Sequence, residues 1–245
     1  MSVNNYVYTR YYRKVGIHMK YEILLFDVDN TLLDFDANEA ISFKNTMADK
    51  GIHYTEELYN TYKTINHQLW QAAERGEMTV DEVVNSRFEK LLACYDMKVD
   101  GVDFESTYHS YLSKGIQEMP DVHEVLQELN KTHKLYVITN GLIDMQTTRL
   151  SDSGLSEYLQ KAFISEAVGA TKPSVDFFKH VKENIQDFNP KKALIIGDSL
   201  TADIKGGNLA GIDTCWICRH GAVNTSNIKP NYTIHSLKDL LGLIK

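Results

Sequence analysis

The stretch ILLFDVDNTLLDFD, residues 23–36, places acidic side chains directly after four apolar residues. Asp27 and Asp29 follow this run, Thr139 ends the run KLYVIT, and Asp198 ends the run KALIIGD. In an open parallel sheet, ligands bind beyond the carboxyl ends of the strands, so we expect these side chains to meet at one edge. Clustered carboxylates repel one another unless a cation neutralises them, and hard oxygen ligands suit Mg²⁺. The sequence therefore predicts a magnesium site at this edge.

Short apolar runs predict the strands that would position these residues. Their continuous apolar character favours a parallel sheet covered on both faces. The segments between them carry apolar residues at helical spacing, and this alternation predicts an α/β fold with a doubly wound parallel sheet. The predicted strands are residues 21–27, 134–139, 161–165, 192–198, 213–218 and 231–235, and the predicted helices are residues 120–132, 145–155, 174–185 and 199–211.

The segment after the first strand breaks this alternation. It carries helical patterns without a convincing strand, and Gly51, Gly76 and Gly101 divide it into helical hairpins. The first residues of the chain also stand apart, because they are rich in tyrosine and basic residues and contain no acid. We therefore predict an N-terminal extension over residues 1–19, an α/β core over residues 20–35 and 112–245, and an all-α helical cap over residues 36–111.

The motifs at the strand ends resemble those of the haloacid dehalogenase-like hydrolases. DVDNT at 27–31 is similar to the family's DxDxT signature, and TNG at 139–141, Lys172-Pro173 and GDSLTAD at 197–203 follow in the family's order. The match spans residues 21–220, and a helical insert after the first motif is the family's small-cap arrangement. The segments NHQLWQAAERGEMT, SEAVGATKPSVDFF and GDSLTADIKGG further resemble the pyrimidine nucleotidases that act on nucleoside 5′-monophosphates.

The resemblance implies hydrolysis of a phosphomonoester through an aspartyl-phosphate intermediate. Asp27 would attack phosphorus as the nucleophile, and Asp29 would serve as general acid and then as general base. Lys172 would place positive charge against the phosphoryl oxygens and the Asp27 carboxylate. Thr31 would use its hydroxyl group to shape the turn that follows the first strand.

The remaining motif residues would bind the phosphoryl group. Thr139 would donate a hydrogen bond to a phosphoryl oxygen, helped by the backbone amides of Asn140 and Gly141. Such donors matter because phosphoryl transfer spreads negative charge over the equatorial oxygens.

Mg²⁺ would be bound by the carboxylates of Asp27 and Asp198 and by the main-chain carbonyl of Asp29. Asp203 is the fourth candidate metal residue, and it would support the direct ligands without contacting the ion or would contact the ion through a water molecule. The metal and a nearby lysine would together stabilise the charge that phosphoryl transfer develops.

The cap supplies candidates for contacting the rest of the substrate. His67, Trp70 and Arg75 are considered because aromatic rings stack on bases and arginine pairs with anions. Trp70 and Arg75 are the predicted substrate-binding pair. The helical spacing of Trp70 from Leu69 and Ala73 fits packing in the cap interior equally well.

Composition excludes several other classes of protein. A net charge of −7 over 245 residues argues against a general binder of nucleic acid or of membrane surfaces. Apolar runs fall short of the roughly 18–20 residues of a membrane helix. The three cysteines, Cys94, Cys215 and Cys218, are too few for a disulfide framework, so we expect a cytoplasmic protein with the CWIC pair packed in the core.

We expect a Mg²⁺-dependent phosphatase of small phosphomonoesters, a 5′-nucleotidase on pyrimidine nucleoside monophosphates, that is a monomer or a homodimer. A phosphatase of phosphoglycolate or a sugar phosphate, and a phosphomutase, are the open alternatives. A dehalogenase is disfavoured because its chemistry needs no metal and its relatives lack the second aspartate. A non-catalytic binding protein is disfavoured because every expected catalytic position is filled.

Overall fold

The described residues, 19–219 and 221–244 of a computed structural model, form one six-stranded parallel sheet. The strand order is β3-β2-β1-β4-β5-β6, so the first strand lies inside the sheet between the second and the fourth. The predicted α/β fold class is confirmed, and each predicted strand is present. The strands are β1 (Ile23–Phe26), β2 (Lys134–Thr139), β3 (Lys161–Ile164), β4 (Ala193–Gly197), β5 (Asp213–Ile217) and β6 (Tyr232–Ile234).

The chain between β1 and β2 begins with an all-helical insert. Its helices are α1 (Phe35–Asp49), α2 (Glu56–Glu74), α3 (Val80–Ala93) and α4 (Gly101–Leu112). Side-chain caps fix where they begin, because Thr55 accepts the Leu58 N–H and Thr79 forms a capping box with Glu82. These helices coincide with the segment predicted to be a cap, although its division from the core as a separate domain stays a prediction.

The other helices cover the two faces of the sheet. They are α5 (Val122–Leu129), α6 (Ile143–Asp152), α7 (Ser165–Val168), α8 (Val175–Glu183), α9 (Lys205–Ala210) and α10 (Asp239–Leu243), with a π-helical turn at Leu200–Ile204. Four of the predicted helical segments correspond to α5, α6, α8 and the turn that leads into α9. The sequence did not predict α7 and α10, because four or five residues are too few to display helical periodicity.

Alternate residues of β1 face opposite layers of the core. Leu24 and Phe26 lie in a hydrophobic cluster with Leu126 of α5, whereas Leu25 lies in a second cluster with Phe178 of α8. Both faces of the central strand are therefore apolar, which is why its sequence reads as a continuous run. Packing on both sides leaves the carboxyl end of the strand as the place where its polar residues can meet a ligand.

Aromatic rings fill the interior of the helical insert. Phe43 and Tyr62 have ring centroids 4.7 Å apart, and Phe88 and Tyr108 have centroids 5.1 Å apart in an edge-to-face arrangement. Met145 of α6 packs in the same cluster. The insert therefore rests on the helix that follows β2, beside the edge at which the strands end.

A buried polar network also joins the four helices of the insert. Arg87 on α3 forms a two-point ion pair with Glu105 on α4, with N···O distances of 2.7 and 2.6 Å, and donates to Asn66 Oδ1 on α2 at 3.3 Å. Asn66 Nδ2 in turn donates to Glu39 Oε1 on α1 at 3.1 Å. Burial raises the pKa of Glu39 to about 7, although the Arg87 charge opposes this shift.

Several sequence predictions concern other parts of the chain. Residues 1–18 of the predicted extension lie outside the described residues. All three cysteines are free, with Cys94 exposed and the CWIC pair buried as expected, while the cytoplasmic location stays a prediction. Within the described part of the chain, no helix combines the length and the apolar character that crossing a membrane requires.

Replacing Glu39 by glutamine should change how stability depends on pH. The folded protein keeps the Glu39 proton at pH values where the unfolded chain has released it, so the free energy of unfolding falls as pH rises toward the raised pKa. Glu39→Gln keeps the side-chain shape and does not titrate. We expect the difference in the free energy of unfolding between the variant and the parent, measured by urea unfolding, to grow in the variant's favour by about 2 kcal/mol as the pH rises from about 5 to about 8. The exposed Glu57→Gln should show no such gain, and parallel pH profiles for Glu39→Gln and the parent would contradict the buried titration.

Candidate active site

The chain turns sharply where β1 ends. The Asp27 N–H donates to the Ile196 carbonyl at 2.9 Å and so extends the sheet ladder by one residue. The N–H groups of Leu32 and Leu33 then both donate to the Val28 carbonyl, at 2.8 and 2.9 Å, which closes a tight loop. This turn is what separates the Asp27 side chain from the next carboxylate along the chain.

The predicted role of Thr31 in this turn is wrong in its detail. Its hydroxyl oxygen is buried and has no hydrogen-bond partner among the residues that the structure describes. The backbone makes the turn instead, with the Thr31 N–H donating to the Val28 carbonyl at 3.2 Å and Asn30 adopting a φ of 59°. Asparagine tolerates this left-handed conformation better than most residues.

Lys172 lies at the centre of the site, 2% exposed. Its Nζ donates to Asp27 Oδ1 at 2.7 Å, to Asp203 Oδ1 at 2.7 Å and to the Ile138 carbonyl at 2.9 Å, so all three ammonium protons have acceptors. Burial alone would lower the pKa of Lys172, but the attraction of Asp203 and Asp27 raises it above its ordinary value. The lysine is therefore a fixed positive charge against the predicted nucleophile.

Asn140 holds the chain that carries this lysine. Its Oδ1 accepts the Lys172 N–H at 2.8 Å, and its Nδ2 donates to the Lys172 carbonyl at 3.0 Å. The N–H of the next residue, Gly141, donates to Ser165 Oγ at 2.8 Å. Sequence reasoning assigned only backbone amides to these positions and missed the Asn140 side chain, whose partner lies on a distant loop.

Three carboxylates gather beside Lys172. Asp27, Asp198 and Asp203 each offer an oxygen, and these oxygens lie within 4.8 Å of one another. Burial raises the pKa of Asp27 to about 7, against the opposing charge of Lys172, and burial also raises the pKa of Asp198 well above its usual range. One lysine leaves the cluster with excess negative charge. A hard divalent cation would compensate this charge, so the donor set fits a metal ion such as Mg²⁺.

Asp203 is the least accessible of the three carboxylates. Its Oδ1 accepts from Lys172, and its Oδ2 accepts the Ser199 N–H at 3.1 Å. A Cβ atom at Gly197 would lie 2.2 Å from Asp203 Oδ2, so the end of β4 must be glycine for this carboxylate to fit. Both oxygens of Asp203 already have protein donors, which agrees with the prediction that it supports the metal ligands from behind.

The side chain of Asp29 points to a different set of partners. Arg149 Nη1 donates to Asp29 Oδ1 at 2.6 Å, and Gln146 Nε2 donates to Asp29 Oδ2 at 2.7 Å and to Thr139 Oγ1 at 3.0 Å. Both partners lie on α6, and sequence reasoning missed both. Their spacing of three residues places them on one face of the helix, which was the available signal, but nothing local to α6 indicated a carboxylate partner.

A cavity open to solvent joins this edge of the sheet to the helical insert, and it encloses about 970 Å³ of empty space when the solvent at its mouth is included. Its floor is lined by the predicted site residues Asp27, Asp29, Thr139, Asn140, Gly141, Lys172, Asp198 and Asp203. The insert contributes Asn66, Trp70, Glu74, Val84, Arg87, Glu105, His109 and Leu112 to its walls. Every core residue predicted for the site therefore borders one space, which is large enough for a small metabolite.

The two predicted cap residues differ in position. Trp70 lines the cavity, as its assignment to substrate binding requires. Arg75 lies outside the lining, with its side chain 55% exposed and ion-paired to Glu77 at 2.7 Å. His67 is also exposed and contacts Gln71. The helix α2 ends at Glu74, so it is the preceding turn that faces the cavity.

Comparison with known proteins gives consistent results. The family model described as haloacid dehalogenase-like hydrolase matches residues 24–217. YfnB of Bacillus subtilis (strain 168) is 44% identical over 225 residues, covering 92% of this chain and 96% of YfnB. A crystal structure of YfnB bound to magnesium has a TM-score of 0.88 and covers 92% of this chain and 99% of that one.

Two further relatives are named for an activity. Pyrimidine 5′-nucleotidase PynA of Streptococcus pneumoniae (strain ATCC BAA-255 / R6) is 38% identical over 227 residues, covering 92% of this chain and 96% of PynA. Pyrimidine 5′-nucleotidase YjjG of Escherichia coli (strain K12) is 28% identical over 226 residues, covering 92% of this chain and 99% of YjjG. Because the family match covers most of the chain and these relatives align over nearly its whole length, the chain belongs to the haloacid dehalogenase-like hydrolases.

Proposed function

We propose that this hydrolase is a Mg²⁺-dependent phosphatase of small phosphomonoesters that acts through an aspartyl-phosphate intermediate. The observation that carries the proposal is the buried contact of 2.7 Å between Lys172 Nζ and Asp27 Oδ1, next to two further carboxylates. A carboxylate fixed in this way is oriented for attack, and the surrounding charges suit an anionic phosphoryl group once a cation is bound.

In the first step, an Asp27 oxygen forms a bond to phosphorus while the bond between phosphorus and the ester oxygen breaks. Asp29 gives its proton to the departing alcohol. In the second step, water attacks the phosphoryl group, Asp29 takes a proton from that water, and the bond from phosphorus to Asp27 breaks. Inorganic phosphate, the free Asp27 carboxylate and the protonated Asp29 side chain result, so the enzyme returns to its starting state. Splitting one displacement into two in this way is the advantage of a covalent intermediate.

The proposed metal ligands are the side chains of Asp27 and Asp198 and the main-chain carbonyl of Asp29, with Asp203 behind them. Bound Mg²⁺ would neutralise part of the charge on the phosphoryl oxygens. Thr139 and the amide of Asn140 would donate hydrogen bonds to the same group. The Gly141 amide, which the sequence also suggested, instead donates to Ser165 Oγ at 2.8 Å. The similar YfnB has a crystal structure bound to magnesium, which supports the choice of Mg²⁺ as the metal ion.

The walls of the cavity favour an uncharged leaving group. Among the described residues that line it, the arginine and lysine side chains are Arg87 and Lys172, and each is ion-paired with buried carboxylates. A second phosphate or a carboxylate on the substrate would therefore find no unpaired arginine or lysine side chain in the lining. Trp70 and Asn66 instead offer an aromatic ring and an amide, which suit a neutral nucleoside.

We therefore propose nucleoside 5′-monophosphates, with a preference for pyrimidines, as the substrates. The names of PynA and YjjG point to the same activity. Phosphoglycolate and the bisphosphate intermediate of a phosphomutase each carry a second anionic group, and the paired cations of the cavity disfavour both. Arg75 is not included in the proposed substrate site, because it lies outside the cavity lining.

Asp27→Asn should abolish phosphate release while leaving the fold intact. Lys172 keeps its contacts with Asp203 and the Ile138 carbonyl, so the buried charge is still paired. We expect kcat for a nucleoside monophosphate to fall by at least about 10³-fold, measured as released phosphate, with an unchanged circular dichroism spectrum. Asp36→Asn, a matched change of an exposed aspartate nearby, should keep normal activity. Normal turnover by Asp27→Asn would overturn the nucleophile assignment.

Removal of divalent ions should silence the enzyme, and Mg²⁺ should restore it. A cation that binds only the folded state also raises the thermal midpoint, which provides a measure independent of turnover. For Asp198→Asn we expect the Mg²⁺ concentration that gives half-maximal activity to rise by about tenfold or more. The thermal shift produced by Mg²⁺ should shrink in parallel. Full activity in excess chelator would contradict the metal proposal.

Uridine and cytidine monophosphates should be better substrates than metabolites that carry a second anionic group besides the phosphate. We expect their kcat/KM to exceed that of phosphoglycolate by about tenfold or more, because the cavity lining offers no unpaired arginine or lysine side chain to a second anionic group. Trp70→Ala should lower kcat/KM for the nucleotides more than for 4-nitrophenyl phosphate. Gln68→Ala, on the exposed side of the same helix, should change neither value. A preference for phosphoglycolate would refute the nucleotidase assignment and leave the phosphatase chemistry in place.

A further inference from the structure

Arg149 is a fully buried arginine beside the active site, with 0% of its surface exposed. Its guanidinium donates to Asp29 Oδ1 at 2.6 Å through Nη1 and to the Gly115 carbonyl at 3.1 Å through Nε. The remaining terminal nitrogen, Nη2, is buried and has no partner among the described residues. Because an unsatisfied buried donor costs free energy, stability alone is a weak reason for an arginine at this position.

We propose that Arg149 and Gln146 are positioning residues for Asp29, which hold its carboxylate where it can exchange a proton with the departing alcohol. This inference rests on the proposed function, since it takes Asp29 as the general acid and base. Neither residue is assigned to contact the substrate. They act through Asp29, which lines the cavity, whereas Arg149 and Gln146 lie behind it.

The two contacts fix both carboxylate oxygens of Asp29. Arg149 holds Oδ1 at 2.6 Å and Gln146 holds Oδ2 at 2.7 Å, from one face of the same helix. Each carboxylate oxygen accepts more than one hydrogen bond, so a lone pair remains for the proton that is transferred. Without these donors, Asp29 would be a partly exposed side chain on a tight turn, free to rotate away from the leaving oxygen.

Arg149 also connects this carboxylate to the base of the helical insert. Gly115 follows α4 and lies in the connection by which the chain returns from the insert to the core. Two residues on, the Gln117 carbonyl accepts the Asp34 N–H at 2.8 Å, so the entering and returning connections are paired beside Arg149. A shift of the returning connection would therefore reach Asp29 through one guanidinium group.

The consequence can be measured by changing the leaving group. An alcohol such as the 5′-oxygen of a nucleoside leaves poorly unless it is protonated, whereas 2,4-dinitrophenolate leaves without a proton. Loss of Asp29 positioning should therefore impair nucleotide hydrolysis far more than hydrolysis of 2,4-dinitrophenyl phosphate. The parameter kcat/KM is suitable because it reports only the steps up to departure of the leaving group and does not depend on the later attack by water.

The experiment compares Arg149→Met, Gln146→Met and Asp29→Asn with the parent enzyme on uridine monophosphate and 2,4-dinitrophenyl phosphate. We expect Asp29→Asn and Arg149→Met to lower kcat/KM for the nucleotide by about 10²-fold and for the aryl ester by only a few-fold. Gln146→Met should show the same selectivity to a smaller extent. Ser153→Ala removes a hydroxyl that donates to the Arg149 carbonyl at 2.7 Å, and it should affect both substrates equally.

The outcomes separate the two proposals. If Asp29→Asn lowers kcat/KM equally for both substrates, Asp29 is not the general acid and the proposed mechanism fails. If Asp29→Asn is selective but Arg149→Met and Gln146→Met are not, the positioning inference fails and the proposed mechanism stands. Thermal melts establish that each variant is folded. If Arg149→Met does not fold, the ratio of the two kcat/KM values of Gln146→Met decides the question, because this variant removes a direct donor to Asp29, whereas loss of its hydrogen bond to Thr139 would affect both substrates alike.

Discussion

The structure depends on one buried ammonium group held between carboxylates at the end of a parallel sheet. Lys172 is buried with Asp27 and Asp203, at 2.7 Å from each. A charge in this position is tolerated only because all its protons have acceptors, and removing both carboxylates would leave it uncompensated. The elements around it serve this contact: β4 ends in glycine to admit Asp203, and Asn140 fixes the backbone of the lysine.

Two buried arginines extend the same principle away from the proposed metal-binding edge. Arg149 neutralises the second carboxylate of the DVDNT motif, and Arg87 neutralises Glu105 in the wall of the helical insert. Each arginine is paired with a buried or half-buried carboxylate, so the cavity lining presents no unpaired arginine or lysine side chain. This division gives the floor of the site to the phosphoryl group and the walls to an uncharged partner, which is the basis of the proposed preference for nucleotides.

The accuracy of the sequence reasoning depended on the range of the interactions involved. Asp27, Lys172 and Asp198 could be placed because each ends an apolar run or lies in a motif of fixed spacing. Arg75 was chosen for its chemistry alone, and the end of α2 directs it to solvent beside Glu77. Thr31 was expected to bond through its hydroxyl, yet the backbone closes that turn. Arg149 and Gln146 were missed because their carboxylate partner lies more than a hundred residues away in the chain.

By itself, the sequence determined the α/β class, the strands and helices long enough to show periodicity, and the motif residues that belong at the carboxyl edge of the sheet. The fold class and these elements follow from hydrophobic periodicity within short segments, whereas the motif residues were placed by their resemblance to the motifs of one family. The tertiary structure alone decided which side chains face one another: the partners of Asp29, the wall that contains Trp70 but not Arg75, and the network across the insert. Such pairings depend on how helices and loops from distant parts of the chain pack together, and spacing along one segment carries no record of that packing.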